Sequence, residues 1–283
     1  MNSPVFSPNE PAPNSDSMIA IIFMEDGDPD CLSSISHALP QTWPDSSIDI
    51  SHNSESKPLF VFHDSTLGGS VMFMDVKAPL AETDPEIRNA WFWPTAWKEI
   101  SRHQSHIIVA IFGGDGAKQK ASALQRMLQL ILTSIPSAIG VGYPSSGTLL
   151  PTSMALSVLE KNDEVAVPLF VSCFFAKENA SRFSVPSIFC STEGLGNFGL
   201  KEIEARGYPD TIQSLHEFMF GFATYLIECR PNIADGDTVG SDQQKILVRI
   251  EKSLIRKKQV YSLYFQRMTR RAKLWSLLFG KRP

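Results

Sequence analysis

Cysteine is scarce in this chain, and its four copies (Cys31, Cys173, Cys190 and Cys229) are widely scattered, with no C-x-x-C pair. Such usage excludes a dense disulfide framework and fits buried thiols in a reducing compartment. Long apolar runs are missing too. No window reaches the roughly 18 consecutive apolar residues of a membrane-spanning helix. The greasiest stretch, 124–143, is broken by Gln125, Arg126, Gln129 and Pro136. The first seventeen residues have neither a basic start nor an apolar segment, so they do not read as a secretory signal. Rich in Pro, Asn and Ser, residues 1–17 read as a disordered leader, and the expected location is cytoplasmic. Nor is there a G-x-S-x-G elbow, an H-E-x-x-H helix or a Walker loop. Positive charge is not in excess: the formal net charge is -4, so the body is not expected to bind nucleic acid.

What is there is ordinary globular material. The 283 residues are 43% hydrophobic and 20% charged, which excludes a collagen-like fibre, a coiled-coil rod and a wholly disordered chain. The length suits one large domain or two small ones. Charge is unevenly spread. Residues 266–283 hold six bases (Arg267, Arg270, Arg271, Lys273, Lys281, Arg282) and no acid, so the remainder carries 20 bases against 30 acids. In that tail Phe265, Met268, Ala272, Trp275 and Phe279 recur at steps of three and four. The spacing predicts a basic amphipathic helix, one that could touch an anionic surface or the acidic body.

Hydrophobic patterning predicts an α+β protein. MIAIIFM (18–24) reads as a strand; Asp28-Pro29 starts a helix that ends before Pro40. Leu59–His63 and Val71–Val76 read as a hairpin around the turn LGGS. Asp84-Pro85 starts another helix, and HIIVAIF (106–112) is a buried strand. This βαββαβ order is the ferredoxin-like arrangement. A long helix follows, with Ala117, Ala121, Leu124, Leu128, Ile131 and Ile135 on one stripe. After Pro136 a second βαββαβ unit is expected: strands at 138–143, 168–175, 187–190 (resuming at 200–204), 245–250 and 260–265, with helices at 151–160 and 210–229. The expected organisation is a single α+β domain over 18–265. Its halves, 18–112 and 138–265, are joined by the helix 116–135, as two ferredoxin-like units or one extended α/β sandwich, with the basic tail appended.

Three motifs carry candidate chemistry. Gly113-Gly114-Asp115-Gly116 stands between a strand and a helix, where glycines let backbone approach a phosphate. It resembles the nucleotide-binding signature of NAD kinases and diacylglycerol kinases, although Ala117 replaces their Thr or Ser; a tight turn capped by Asp115 is the plainer expectation. Gly194, Gly196 and Gly199 spell G-x-G-x-x-G, but too few residues precede Gly207 and Pro209 for a dinucleotide crossover helix, so a glycine-bent strand is expected. Asp235-Gly236-Asp237-Thr238 could hold a cation, but the following residues do not continue an EF-hand, and a polar turn is expected. No catalytic residue, metal set or cofactor is expected.

Several stretches taken together resemble the bacterial family called domain of unknown function 4261. They are HQSHIIVAIF, FCSTEGLGNFGLKEIEARG, the helix ending FATYLIECRPNIADGDTVG, and KILVRIEKSLIRKKQVYSLYF. The matching positions are Gly194, Leu195, Phe198, Gly199, Glu202, Glu204, Tyr225, Leu226, Asp235, Gly236, Asp237, Thr238 and Gly240, and the resemblance runs over roughly 18–265. It implies no activity and transfers no catalytic role. Glu202, Glu204, Asp235 and Asp237 are binding candidates, forming one negative patch if their segments meet. The function expected from character is a non-catalytic binding protein with a basic protein partner, such as an immunity or accessory protein of a toxin system. The alternative is an enzyme or binder of a phosphorylated small molecule using Gly113–Gly116.

Overall fold

The computed structural model describes residues 17–27, 31–42, 47–49, 59–63, 66–160, 164–178, 187–241 and 244–265. The expected leader, apart from Ser17, lies outside the described residues, as do the Asp28-Pro29 cap and the tail helix 266–283.

Those described residues up to Cys173, with Glu193–Leu200 and Phe222–Arg230, form one compact unit; Phe174–Thr192, Lys201–Gly221 and those from Pro231 form a second. The first unit is built on a seven-stranded sheet. Its elements run β1 (Ser17–Met24), α1 (Cys31–Thr42), β2 (Ser47–Asp49), β3 (Leu59–His63), β4 (Leu67–Met74), α2 (Pro85–Asn89), α3 (Ala96–Ile100) and β5 (Ser105–Gly113). Next come α4 (Ala117–Ser134), β6 (Ala138–Tyr143), β7 (Thr148–Pro151), α5 (Thr152–Leu159) and α6 (Val167–Phe170). The sheet order is β2-β3-β4-β5-β1-β6-β7. The two continuous apolar runs, β1 and β5, lie side by side in the middle of the sheet; one face of each is wholly buried, while the other is covered at the Phe23 and His106 end and open at Ile19 and Phe112. On one face lies α4, whose stripe Ala117, Ala121, Leu124, Leu128 and Ile131 is buried as its spacing predicts, packed against β1, β5 and α1. On the other face, Phe23 and Leu149 pack with Ala90, Trp93, Ala96 and Ile100.

This topology corrects the ferredoxin-like expectation for the first half. A split βαβ unit needs its first two long strands parallel around one intervening strand. Here β1 and β3 are separated by both β4 and β5, and the chain of antiparallel pairings sets them antiparallel. The physical reason is that β5 pairs directly with β4 over eight residues, from Leu67↔Gly113 to Met74↔His106, and so occupies the place beside β1. LGGS is likewise not a turn. It opens β4, and the absence of a Cβ at Gly68 leaves the space that the Phe112 ring of the neighbouring strand occupies. Pro168–Phe170, expected as the start of the strand 168–175, lies instead in the short helix Val167–Phe170, with the proline in its first turn.

The chain goes on through β8 (Ser172–Glu178), β9 (Ser187–Glu193), a 3-10 turn at Leu195–Phe198, β10 (Ile203–Tyr208), α7 (Ile212–Cys229), β11 (Thr238–Ser241), β12 (Gln244–Lys252) and β13 (Gln259–Phe265). These strands form a six-stranded sheet in the order β11-β12-β13-β10-β9-β8. β6 and β7 extend the first sheet instead of opening a second βαββαβ unit. Parallel pairing of β10 with β13 requires a long crossover, which α7 and the β11–β12 hairpin supply. With a side-chain period of two, Ile203, Ala205, Ile246, Val248, Leu263 and Phe265 share one buried apolar face. Leu215 and Met219 of α7 are buried, and the rings of Tyr208 and Phe218 meet Phe265 edge-on at 4.8 and 5.5 Å.

Candidate functional site

The opposite face of that sheet carries a cluster of charged and hydroxyl side chains. The same period that turns Ile203 and Ala205 inward puts Glu204 and Arg206 together on this face. Across the ladder, Glu204 stands beside Ser262 and Ser191, Arg206 beside Tyr264, and Arg249 beside Ser262. Glu204 is fully buried. Its carboxylate takes Arg206 Nη2 at 2.9 Å, the Ser253 hydroxyl, and the Leu254 amide at 3.2 Å. Arg206 also bridges to Glu251 at 2.7 Å and donates to the Tyr264 hydroxyl at 3.0 Å, which in turn donates to Glu251. Burial raises the Glu251 carboxyl, but Tyr264, Ser262 and the guanidiniums of Arg206 and Arg249 outweigh it and hold the group below the usual carboxylate range. Burial, then the bond to Glu251, pushes the Tyr264 phenol up.

The turn joining β12 to β13 folds down onto this network. Ser253 Oγ, besides donating to Glu204, accepts the amides of Ile255 and Arg256 at 3.1 and 2.9 Å. Arg256 Nη1 then reaches Ser191 Oγ at 2.6 Å. The loop is thus tied to the sheet by one buried carboxylate and two serines.

The four candidate acids divide. Glu202 is buried and accepts the Thr192 hydroxyl at 2.7 Å, while the same hydroxyl accepts the Ile203 amide at 2.9 Å. Glu202 and Glu204 therefore serve internal bonds and present no negative surface. Asp235 and Asp237 lie in an exposed turn against β12. Asp235 accepts the Ile250 amide at 2.8 Å and Arg249 at 3.0 Å; the amide first and the guanidinium second hold its carboxyl below the ordinary value. Asp237 accepts the Ala234 amide at 2.8 Å, closing the turn on itself. Among the described residues no group of three or more His, Cys, Asp or Glu could hold a metal ion.

Gly113–Gly116 leads from β5 into α4. Gly113 and Gly114 both have positive φ, and the Gly114 amide donates to the Thr66 carbonyl at 2.8 Å. The Asp115 amide donates to Gln119 Oε1 at 2.6 Å, and no side-chain cap bond is made at Gly116. Two amides that a phosphate would need are already spent inside the fold. In the G-x-G-x-x-G run, Gly194 lies under the Phe170 carbonyl, where a Cβ would collide, and Gly199 closes the 3-10 turn in the left-handed region. No dinucleotide helix follows. The first unit also holds a cavity of about 330 Å³ lined by apolar side chains including Ile21, Phe23, Leu80 and Leu149, with Asp84 and Glu86 as its carboxylates. That lining does not suit a phosphate.

Sequence reasoning missed Arg206, Arg249, Glu251, Ser253, Arg256 and Tyr264. Their signal was available: Glu204-x-Arg206, Arg249-x-Glu251 and Ser262-x-Tyr264 place polar residues two apart inside apolar strands.

Fold and site together define a mixed α+β protein of two sheets whose second sheet carries a network of bridged acids and arginines, within which Arg206 Nε and Ser262 Oγ are buried without a hydrogen-bond partner. Residues 191–264, from β9 to β13, match the family described as Domain of unknown function (DUF4261), so the resemblance drawn from the sequence is shown over that stretch. No curated protein and no solved structure gives a significant match. Among the described residues no helix is long and apolar enough to cross a membrane.

Proposed function

We propose that this protein is a non-catalytic binding protein that engages a basic protein partner, as an immunity or accessory protein of a toxin system does. The observation that carries this reading is that the carboxylates of the second sheet are already engaged by donors within the fold. Glu204, Glu251 and Asp235 each already accept from an arginine and from at least one further hydroxyl or amide. Carboxylates held this way build a fold and are poorly placed to move protons for a substrate. The excess of acids over bases outside 266–283 supports a basic partner. The spent amides of Gly114 and Asp115 weigh against the phosphorylated-ligand alternative.

The test pairs the full chain with the products of its neighbouring genes by size-exclusion chromatography, alongside thermal scans with ATP, NAD and phosphate. The expected result is a stoichiometric, salt-sensitive complex and no saturable shift from the small molecules. A stabilisation of roughly a few degrees at millimolar nucleotide, with no complex formed, would move the function to the alternative.

A further inference from the structure

We propose that the turn between β12 and β13 is a docking tip for an anionic lipid surface. It rests on the geometry of this turn alone and does not depend on the reading of a basic protein partner.

The tip has the chemistry of a membrane interface. Leu254 is 61% exposed and Ile255 49% exposed, two large apolar side chains side by side at the apex. Folding normally hides such residues or leaves them isolated. On either side stand Lys252, Lys257 and Lys258, all exposed. Because β10 runs parallel to β13, Lys201, just before β10, comes to the same end of the sheet, its ammonium 5.6 Å from the Tyr261 ring centre. The nearest acids do not cancel these charges. Glu251 is bridged to Arg206, and Glu204 is buried beneath the turn.

The apolar pair is also held in place. The Leu254 amide is fixed on Glu204, the Ile255 and Arg256 amides on Ser253 Oγ, and the Arg256 side chain on Ser191. The Ser253 amide donates to the Lys258 carbonyl at 2.9 Å and closes the loop. The backbone that presents Leu254 and Ile255 is therefore already ordered, which lowers the ordering cost of binding. A convex apolar tip between lysines matches a surface whose apolar interior lies behind a layer of negative headgroups: the aliphatic pair enters and the lysines remain at the phosphates.

The experiment uses the full chain and sedimentation with vesicles of phosphatidylcholine, with or without about one-third phosphatidylserine, at low salt. Binding is expected to the anionic vesicles only. At about 1 kcal/mol per basic residue near such a surface, Lys257→Glu with Lys258→Glu is expected to weaken it tenfold or more. Leu254→Ser with Ile255→Ser should weaken it comparably while leaving every charge in place. All four positions are exposed, so the melting transition should be kept. An environment-sensitive dye attached through Leu254→Cys, in a chain carrying Cys31→Ser and Cys229→Ser, gives a second readout: its emission should shift blue on the anionic vesicles. No vesicle binding refutes the proposal. So does binding that survives both double variants, which would place the contact elsewhere, including residues 266–283. A dye response to poly-L-glutamate with none to vesicles would overturn it in favour of an acidic protein partner.

Discussion

Replacing Glu204 by Ala should cost more stability than most single changes in this chain. The carboxylate is wholly buried and has three kinds of donor: a guanidinium, a hydroxyl and a backbone amide. Removing one member of a buried pair typically costs about 3–5 kcal/mol, because the surviving charge is left uncompensated. Arg206 keeps Glu251 at 2.7 Å and the Tyr264 hydroxyl, so its own share of that penalty falls. The Ser253 hydroxyl and the Leu254 amide lose their acceptor, each an orphan worth about 1 kcal/mol or more. Together these place Glu204→Ala near the lower end, at about 3 kcal/mol. Glu204→Gln keeps the shape and one acceptor oxygen and should cost about half as much. With a urea m-value of about 2 kcal/mol/M, the Ala variant lowers the midpoint by roughly 1.5 M at unchanged m. A local readout accompanies the global one: the Leu254 amide should lose its hydrogen-exchange protection, because its acceptor is gone. A cycle with Arg206→Met separates the pair from the serine and amide contacts. A loss below about 1 kcal/mol, with Leu254 protection unchanged, would mean that Glu204 does not hold the turn and the reasoning fails.

Gly194→Ala combines a positive φ of 123° with a collision against the Phe170 carbonyl, and should cost about 2 kcal/mol or more in a denaturation midpoint. Burial holds the His216 imidazole, close to the rings of Phe175 and Phe220, below its ordinary pKa of 6.5. The unfolded chain therefore takes up the proton first, and stability should fall as pH drops through about 6.5 towards the folded value. Urea midpoints from pH 7.5 to 5 should show that slope, and His216→Leu should flatten it. Deleting residues 267–283 should leave a cooperatively melting protein of lower isoelectric point, because β13 already ends at the buried Phe265; loss of the transition would place core-covering residues in the tail.

How much of this was legible in the sequence depends on whether a feature is local. The apolar runs of β1 and β5 and the stripe of α4 announce themselves because a central strand with one face wholly buried and the other partly covered, or a helix buried along one face, writes its own pattern. The short strands β2, β7 and β11 carry too few residues to show any period, and each exists through the partner it pairs with. Sheet order is less local still. Inserting β5 between β1 and β4 changes no residue pattern and undoes the ferredoxin-like arrangement all the same. Glycine misled for a similar reason: Gly68 reads as a turn residue and is in fact the space beneath Phe112.

The acids are the sharper case. Glu202 and Glu204 look like surface charge, since an isolated carboxylate is rarely buried. The alternation Ile203, Ala205 against Glu204, Arg206 does say that the two charged residues share a face. It does not say that this face is roofed. The roof is the loop after β12, 49 residues downstream of Glu204 at Ser253, and it is brought there by the parallel pairing of β10 with β13. That one long-range pairing hides the carboxylate and puts Leu254 and Ile255 into solvent. Relaxing the turn should therefore do both in reverse. Ser253→Ala removes the hydroxyl that links Glu204 to the Ile255 and Arg256 amides, and should free the loop while leaving the apolar and basic residues intact. If presentation by a fixed turn matters, this variant should weaken vesicle binding severalfold despite an unchanged tip composition. If composition alone matters, binding should be the same, and the fixed turn would be a feature of stability only.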